Sequence, residues 1–193
     1  LSKFKNDMVD FHEIAIENIY KETQDCVVIT LGIPDELKPS FAYKQGQHLN
    51  VRVMLDGEDV RRSYSLCSSP IDDEWKVAVK RIEGGKFSTH ANEVLKAGDK
   101  LDVMTPDGRF FVDVDNSKPK HYIAFAAGSG ITPILSIIKT HLTLEPDSTF
   151  QLFYLNRRVK SIIFKEEIEG LKNKFLGRFE VFHFLTKEQR GIP

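Results

Sequence analysis

Apolar and polar residues alternate through the first half of the chain. After about residue 120 the alternation gives way to unbroken apolar runs separated by helical spacing. From Asp10 to Tyr20, Phe11, Glu13, Ala15, Glu17 and Ile19 oppose His12, Ile14, Ile16, Asn18 and Tyr20, the two-residue period of a strand. Cys26–Leu31, rich in β-branched residues and closed by Pro34, is a second strand, and Tyr43–Gln47 a turn. Leu49–Leu55 alternates and ends at Asp56-Gly57, a hairpin signal leading into a strand that carries Arg62. Glu74–Ile82 is expected to be the hairpin partner of that strand. Leu101–Met104 and Arg109–Val112, split by Pro106-Asp107-Gly108, are expected to form the last hairpin. Short strands with turn chemistry between them predict an antiparallel Greek-key β-barrel.

Asp113–Lys120, polar and containing Pro119, reads as a linker. Beyond it, Tyr122–Ala127 is a continuous apolar run, the pattern of a parallel strand buried on both faces. Ile131, Ile134, Leu135, Ile138 and Leu142 then recur at helical spacing, with Thr132 placed to cap and Pro133 at the first helical position. Phe150–Leu155 is the next strand, Ser161–Phe175 an amphipathic helix, and Arg178–Leu185 a third strand. Strand, helix, strand, helix, strand implies a parallel sheet with right-handed crossovers and a nucleotide beyond the strands' carboxyl ends. The chain therefore divides into a barrel domain over residues 1–115 and a partial α/β domain over residues 120–193.

Composition narrows the function classes. With 27 basic and 28 acidic residues among 193, the net charge of -1 offers no global field for nucleic acid or an anionic membrane, so any anion site is local. No apolar run reaches the ~20 residues of a spanning helix, and Leu1–Asp7 lacks a signal peptide's apolar region, so a cytoplasmic location is expected. Cys26 and Cys67 stand far apart, the histidines show no ligand spacing, and no metal site is expected within these residues.

Three stretches carry candidate chemistry. In Arg62-Ser63-Tyr64-Ser65, alternation puts Arg62 and Tyr64 on one face, a forked cation beside a flat ring. Guanidinium binds phosphate bidentately and a phenol offers a stacking face, which suits a flavin nucleotide, although these four residues taken alone are better accounted for by an ordinary strand with one snorkelling Arg and one half-buried Tyr. In Gly84-Gly85-Lys86-Phe87-Ser88, glycines precede a helix start whose free N–H groups can hold phosphate, with Ser88 able to add a hydroxyl; a simple helix cap is the alternative. In Gly128-Ser129-Gly130-Ile131-Thr132-Pro133, a glycine pair follows a buried strand, but Pro133 replaces the third glycine of the common dinucleotide fingerprint. The second strand ends at Asn156-Arg157-Arg158 without an acid to hold a ribose diol. Arginine there favours a 2′-phosphate, hence NADP over NAD, unless the pair is only a solvated strand end.

Taken together and in order, Arg62–Ser65, Ala78-Val79-Lys80-Arg81 with Gly85–Ser88, Pro106–Phe110 and Gly128–Pro133 resemble the ferredoxin-NADP reductase-like flavoproteins over nearly the whole chain. Within that family, Arg-Ser-Tyr-Ser-Leu-Cys-Ser and Gly-Ser-Gly-Ile-Thr-Pro-Ile-Leu are most similar to the reductase components of phenylacetate degradation. The resemblance implies an FAD barrel followed by an NAD(P) domain. Arg62 would hold the flavin phosphate and Tyr64 would stack on the ring. Ser63 and Ser65 would bond the polar edge of the ring, with Ser65 tuning hydride acceptance. Ala78 and Lys80 would line the flavin, and Gly85, Lys86, Phe87 and Ser88 would hold the pyrophosphate. Gly128, Ser129, Gly130, Thr132, Pro133 and Asn156 would receive the nicotinamide nucleotide, with Arg157 on its adenosine phosphate. It further implies an iron-sulfur domain or oxygenase component as electron acceptor. The family's Cys-Gly-Pro motif and a C-terminal 2Fe-2S ferredoxin domain do not occur before Pro193, so a truncated chain is expected. Other readings are a reductase for a ring-hydroxylating dioxygenase and a flavin-binding regulatory subunit that never meets a nicotinamide.

Overall fold

The computed structural model describes residues 10–188; the readings made at Leu1–Asp7 and at Pro193 lie outside them. Six strands, β1 (His12–Thr23), β2 (Cys26–Gly32), β3 (His48–Leu55), β4 (Glu58–Ser65), β5 (Trp75–Lys80) and β6 (Lys100–Val103), form an antiparallel sheet in the order β4-β3-β6-β1-β2-β5. The β3–β4 hairpin closes tightly because Asp56 and Gly57 both take left-handed backbone, φ 49° and 78°, as a two-residue turn between twisted strands requires. Ile14, Ile29, Leu49, Val51, Val79 and Val103 point inward around Phe41, and α1 (Lys86–Glu93) plugs one opening by inserting Phe87.

Two strand assignments are corrected. The Glu74–Ile82 run pairs along its length with β2, from Leu31↔Trp75 to Cys26↔Lys80, and meets the chain just after β4 only at the Leu66↔Val77 bridge. The Leu66–Pro70 turn carries the chain across, where the buried face of β5 finds the equally apolar β2. Arg109–Val112 forms no strand; side chains hold it instead of a ladder. Gln45 Nε2 donates to the Val112 carbonyl and Lys44 pairs with Asp113 at 2.6 Å. Gly46, at φ 93°, lies so close beneath the Phe110 carbonyl that an added Cβ would collide with it.

The second domain is a three-stranded parallel sheet, β7 (His121–Ala127), β8 (Thr149–Asn156) and β9 (Phe179–Leu185), in that order. The crossover helices α2 (Ile131–Leu144) and α3 (Lys165–Lys174) pack Leu135, Ile138, Ile168 and Leu171 against Ala124, Leu152 and Tyr154. Successive right-handed crossovers in one direction leave both helices on the same side. The expectation that β7 is buried on both faces is therefore corrected: Ile123 and Phe125 are 61% and 71% exposed, beside Phe153, Phe182 and Phe184. The helix expected from Ser161 begins at Lys165, because Val159–Ser161 is a 3-10 turn and Phe164 takes left-handed backbone at φ 60°. Helix α2 starts at Ile131 rather than at Pro133, and Thr132 Oγ1 turns back to donate to the Ser129 carbonyl at 3.1 Å.

A buried carboxylate fastens the linker between the domains. Glu145, 1% exposed, accepts from Asp115 N–H (2.9 Å), Lys120 Nζ (3.0 Å), Tyr122 OH (2.9 Å) and His141 Nδ1 (3.0 Å). His141 Nε2 lies 3.2 Å from both Gln45 Nε2 of the barrel and the Val112 carbonyl. A carboxylate only accepts, so the Nδ1 of His141 carries a proton.

Candidate functional site

Strand β4 delivers Ser63, Tyr64 and Ser65 to one wall of a cavity of about 330 Å³, and β5 adds Ala78 and Lys80 with Ile82 just beyond. The opposite wall comes from the second domain: Ser129, Gly130, Thr132 and Pro133 at the start of α2. Ser63–Ser65 and Ser129–Pro133, more than sixty residues apart in sequence, thus face each other across one space, which is the arrangement a hydride donor and acceptor need.

The Tyr64 ring rests on Phe87, centroids 5.4 Å apart, so the helix that plugs the barrel also sets the ring's tilt. Burial pushes the Tyr64 hydroxyl up to about 12 despite the nearby Arg62 guanidinium, leaving it a neutral donor. Ser63 Oγ donates to Asn50 Oδ1 on the paired strand. Arg62 is exposed and its side chain contacts only its neighbour's carbonyl, Nη1 to Arg61 O at 2.6 Å, so the guanidinium retains most of its donors for a ligand. Arg61 instead points to the other face, where it pairs with Asp59 at 2.7 Å.

At α1, Gly85 is the N-cap and supplies no capping side chain, which leaves the first-turn N–H groups available. Leu55, Asp56, Gly84, Gly85, Lys86, Thr89 and His90 line the adjoining hollow of about 400 Å³. Phe87 lies in the core and Ser88 folds inward, accepting from Ile82 N–H at 3.1 Å and donating to the Gly85 carbonyl at 3.3 Å. The Ser88 hydroxyl is thus committed to its own loop, and the stretch offers a ligand its backbone and Lys86, which otherwise pairs with Glu58 at 2.6 Å.

A second cavity continues from the first through Lys80 to Ala127, Gly128, Leu155, Asn156, Arg157, Ser161 and Thr186. Tyr154 OH donates to the Gly128 carbonyl at 2.9 Å and holds the glycine loop over β8. Asn156 is 6% exposed, lines this cavity, and its Nδ2 has no partner among the described residues, so the amide has a donor to spare. The cavity opens into a cleft of about 600 Å³ ringed by Lys80, Arg81, Arg157, Arg158, Lys160 and Lys187 against Asp25 and Glu83. Sequence reading missed Lys160, Ser161, Thr186 and Lys187. Lys187 arrives only because the parallel ladder runs on past β9, its N–H reaching the Arg157 carbonyl at 2.9 Å. No spacing along the chain announces that meeting.

The residues fit both groups. A forked cation, a ring and an uncapped helix start suit FAD, and an orphaned amide beside a cationic cleft suits a nicotinamide nucleotide. The fold is that of a two-domain FAD- and NAD-binding oxidoreductase module, a barrel followed by an α/β domain. Residues 13–112 match the oxidoreductase FAD-binding domain and residues 125–192 the oxidoreductase NAD-binding domain, and the chain belongs to this family of ferredoxin-NADP reductase-like oxidoreductases. It is 41% identical to the E component of 1,2-phenylacetyl-CoA epoxidase of Escherichia coli, over 94% of this chain and 51% of the relative. It is 40% identical to the ferredoxin reductase component of 3-ketosteroid-9-alpha-monooxygenase of Rhodococcus rhodochrous, over 93% and 50%. The chain thus spans about half the length of these curated relatives. Among solved structures, phthalate dioxygenase reductase, a modular structure for electron transfer from pyridine nucleotides to 2Fe-2S, superposes with a TM-score of 0.71 at 27% identity over 90% of this chain and 51% of that one. The FAD/NAD-binding domain of Vibrio cholerae nitric oxide dioxygenase shares the fold, with a TM-score of 0.78 at 24% identity over 94% and 77%. No helix among the described residues is long and apolar enough to cross a membrane.

Proposed function

We propose that this chain is the reductase part of an electron-transfer system that draws hydride equivalents from NADPH and feeds an iron-sulfur centre serving an oxygenase. The observation that carries the reading is the shared cavity, in which Tyr64 and Ser65 of the barrel face Thr132 and Pro133 of the second domain. FAD, when bound, supplies the conversion between two-electron and one-electron chemistry, so the protein needs no side-chain acid or base for the transfer itself. Its own residues would bind and orient: Arg62 and the α1 N-terminus would take phosphate, Tyr64 would offer a stacking face, and Ser63 and Ser65 would offer hydrogen bonds to the ring's polar edge, with Ser65 tuning hydride acceptance. Gly128–Pro133 receive the nicotinamide nucleotide, the Asn156 amide completes its hydrogen bond there, and Arg157 meets the adenosine phosphate.

Preference for NADPH rests on the cleft. Six cations against two carboxylates form a local positive site in a chain of net charge -1, and β8 ends without the acid that would favour a free ribose diol. The terminal step follows the relatives: identity with the epoxidase component supports an aromatic acyl-CoA oxygenase as the system served, and nearly equal identity with the ketosteroid component supports a steroid or ring oxygenase as the second reading. The test is anaerobic titration of the FAD-loaded protein. NADPH is expected to bleach the visible flavin band at concentrations on the order of tenfold lower than NADH, and Arg157→Glu to erase that advantage. Flavin that neither nucleotide bleaches would leave the regulatory-subunit reading standing instead.

A further inference from the structure

Between the strand that carries Tyr64 and Ser65 and the helix that follows the glycine loop lies a polar seam with almost no access to solvent. Ser68 and Ser69 of the barrel's turn are 1% and 0% exposed, and Ser136 and Thr140 on α2 are 0% and 1%. Ser136 Oγ donates to the Ser68 carbonyl at 2.6 Å. Thr140 Oγ1 donates to the Ser136 carbonyl at 2.7 Å, which leaves it an acceptor for the Ser69 hydroxyl, also at 2.7 Å. The turn is fastened equally firmly to its own domain: Ser68 Oγ donates to the Glu74 carbonyl at 2.8 Å and accepts from Lys76 N–H at 3.1 Å, and Tyr43 OH lies 2.8 Å away. Lys139 bridges Asp72 of the barrel (2.7 Å) and Glu167 of α3 (3.1 Å) at the seam's edge.

We infer that this seam is a positioning device for hydride transfer, setting the distance between the flavin strand and the nicotinamide loop; the inference rests on the reductase reading above. Ser68 follows Ser65 by three residues and Ser136 follows Pro133 by three, and both Ser65 and Pro133 wall the shared cavity. A slip of α2 along the turn would therefore pass almost undiminished to the gap between the reacting groups. Apolar contact is present, since Cys67 and Ala78 join the second domain's core with Ile134 and Leu135, but such contact tolerates sliding. Directional bonds between buried hydroxyls do not. Reacting atoms must approach to about 3–3.5 Å, and a shift of about 1 Å costs on the order of a hundredfold in rate.

The test compares Thr140→Val and Ser69→Ala, which delete the Ser69–Thr140 hydroxyl bond across the seam, with Thr140→Ser, which keeps the hydroxyl. In the FAD-loaded protein the two deletions are expected to lower the limiting rate of flavin reduction by about tenfold or more, with FAD affinity and the KM for NADPH nearly unchanged. Thr140→Ser should retain the parental rate. Calorimetry of the apoprotein gives a readout without cofactor: a single transition in the parent should separate into two in the Ser69→Ala/Ser136→Ala double variant, which removes both hydroxyl bonds across the seam. Parental reduction rates in both deletion variants, or a loss that only follows lost FAD, would overturn the inference and spare the reductase reading. A parent protein that neither nucleotide reduces would remove both.

Discussion

Replacing Glu145 with alanine is expected to destabilise the protein by about 3–5 kcal/mol, the cost of removing one partner from a buried ion pair. The Lys120 ammonium, the protonated Nδ1 of His141, Tyr122 OH and the Asp115 N–H all converge on this one carboxylate, and without it each is left to desolvated surroundings or to water. Urea unfolding is the measurement. Glu145→Gln should cost less, because an amide oxygen still accepts and the amide nitrogen can donate to the Tyr122 oxygen. Burial alone would raise the Glu145 carboxyl, but the Asp115 N–H, Lys120 and Tyr122 outweigh it and hold it down at about 2, against an ordinary 4.5. A depressed carboxyl stabilises the fold above its unfolded value and loses that contribution as the pH falls towards its folded value. Stability should therefore drop between about pH 4.5 and pH 2, and Glu145→Gln should flatten that part of the curve. An acid limb identical in the two proteins would mean that other carboxylates govern it.

That network is not legible in the sequence, and the reason is physical. Glu145 is one acid at a helix end, and its partners come from the linker, a strand start and the preceding helical turn, so only the fold makes them neighbours. What can be read is local: Asp56-Gly57 dictates its hairpin through backbone conformation, and the leucines and isoleucines of α2 declare their buried side by spacing. Alternation announces a strand but not which strand it joins, and nothing along β5 marks β2 rather than β4 as its partner. The apolar run of β7 carries no mark of having a helix on only one side. The same limit applies to the site. Arg62, Tyr64 and the glycine loop follow from residue chemistry, whereas the meeting of Lys187 with Arg157 depends on parallel register between β8 and β9.

Arg62→Ala is expected to weaken FAD binding by about tenfold to a hundredfold while leaving the fold intact. The guanidinium is exposed, takes part in no ion pair among the described residues and bonds to the adjacent Arg61 carbonyl, so deletion removes little that the apoprotein uses. A bound phosphate, by contrast, loses a bidentate, charge-assisted partner, and neighbouring Arg61 cannot replace it, being turned to the opposite face and engaged with Asp59. Arg62→Lys should recover only part of the loss, since a point charge keeps the attraction without the fork. The comparison with Tyr64→Ala separates two contributions: the tyrosine variant removes the stacking face and also exposes Phe87, so it should lower both FAD affinity and thermal stability. Equilibrium titration of apoprotein with FAD, alongside thermal unfolding of each apoprotein, checks both expectations. Unchanged FAD affinity in Arg62→Ala would place the phosphate elsewhere, with the uncapped start of α1 as the remaining site.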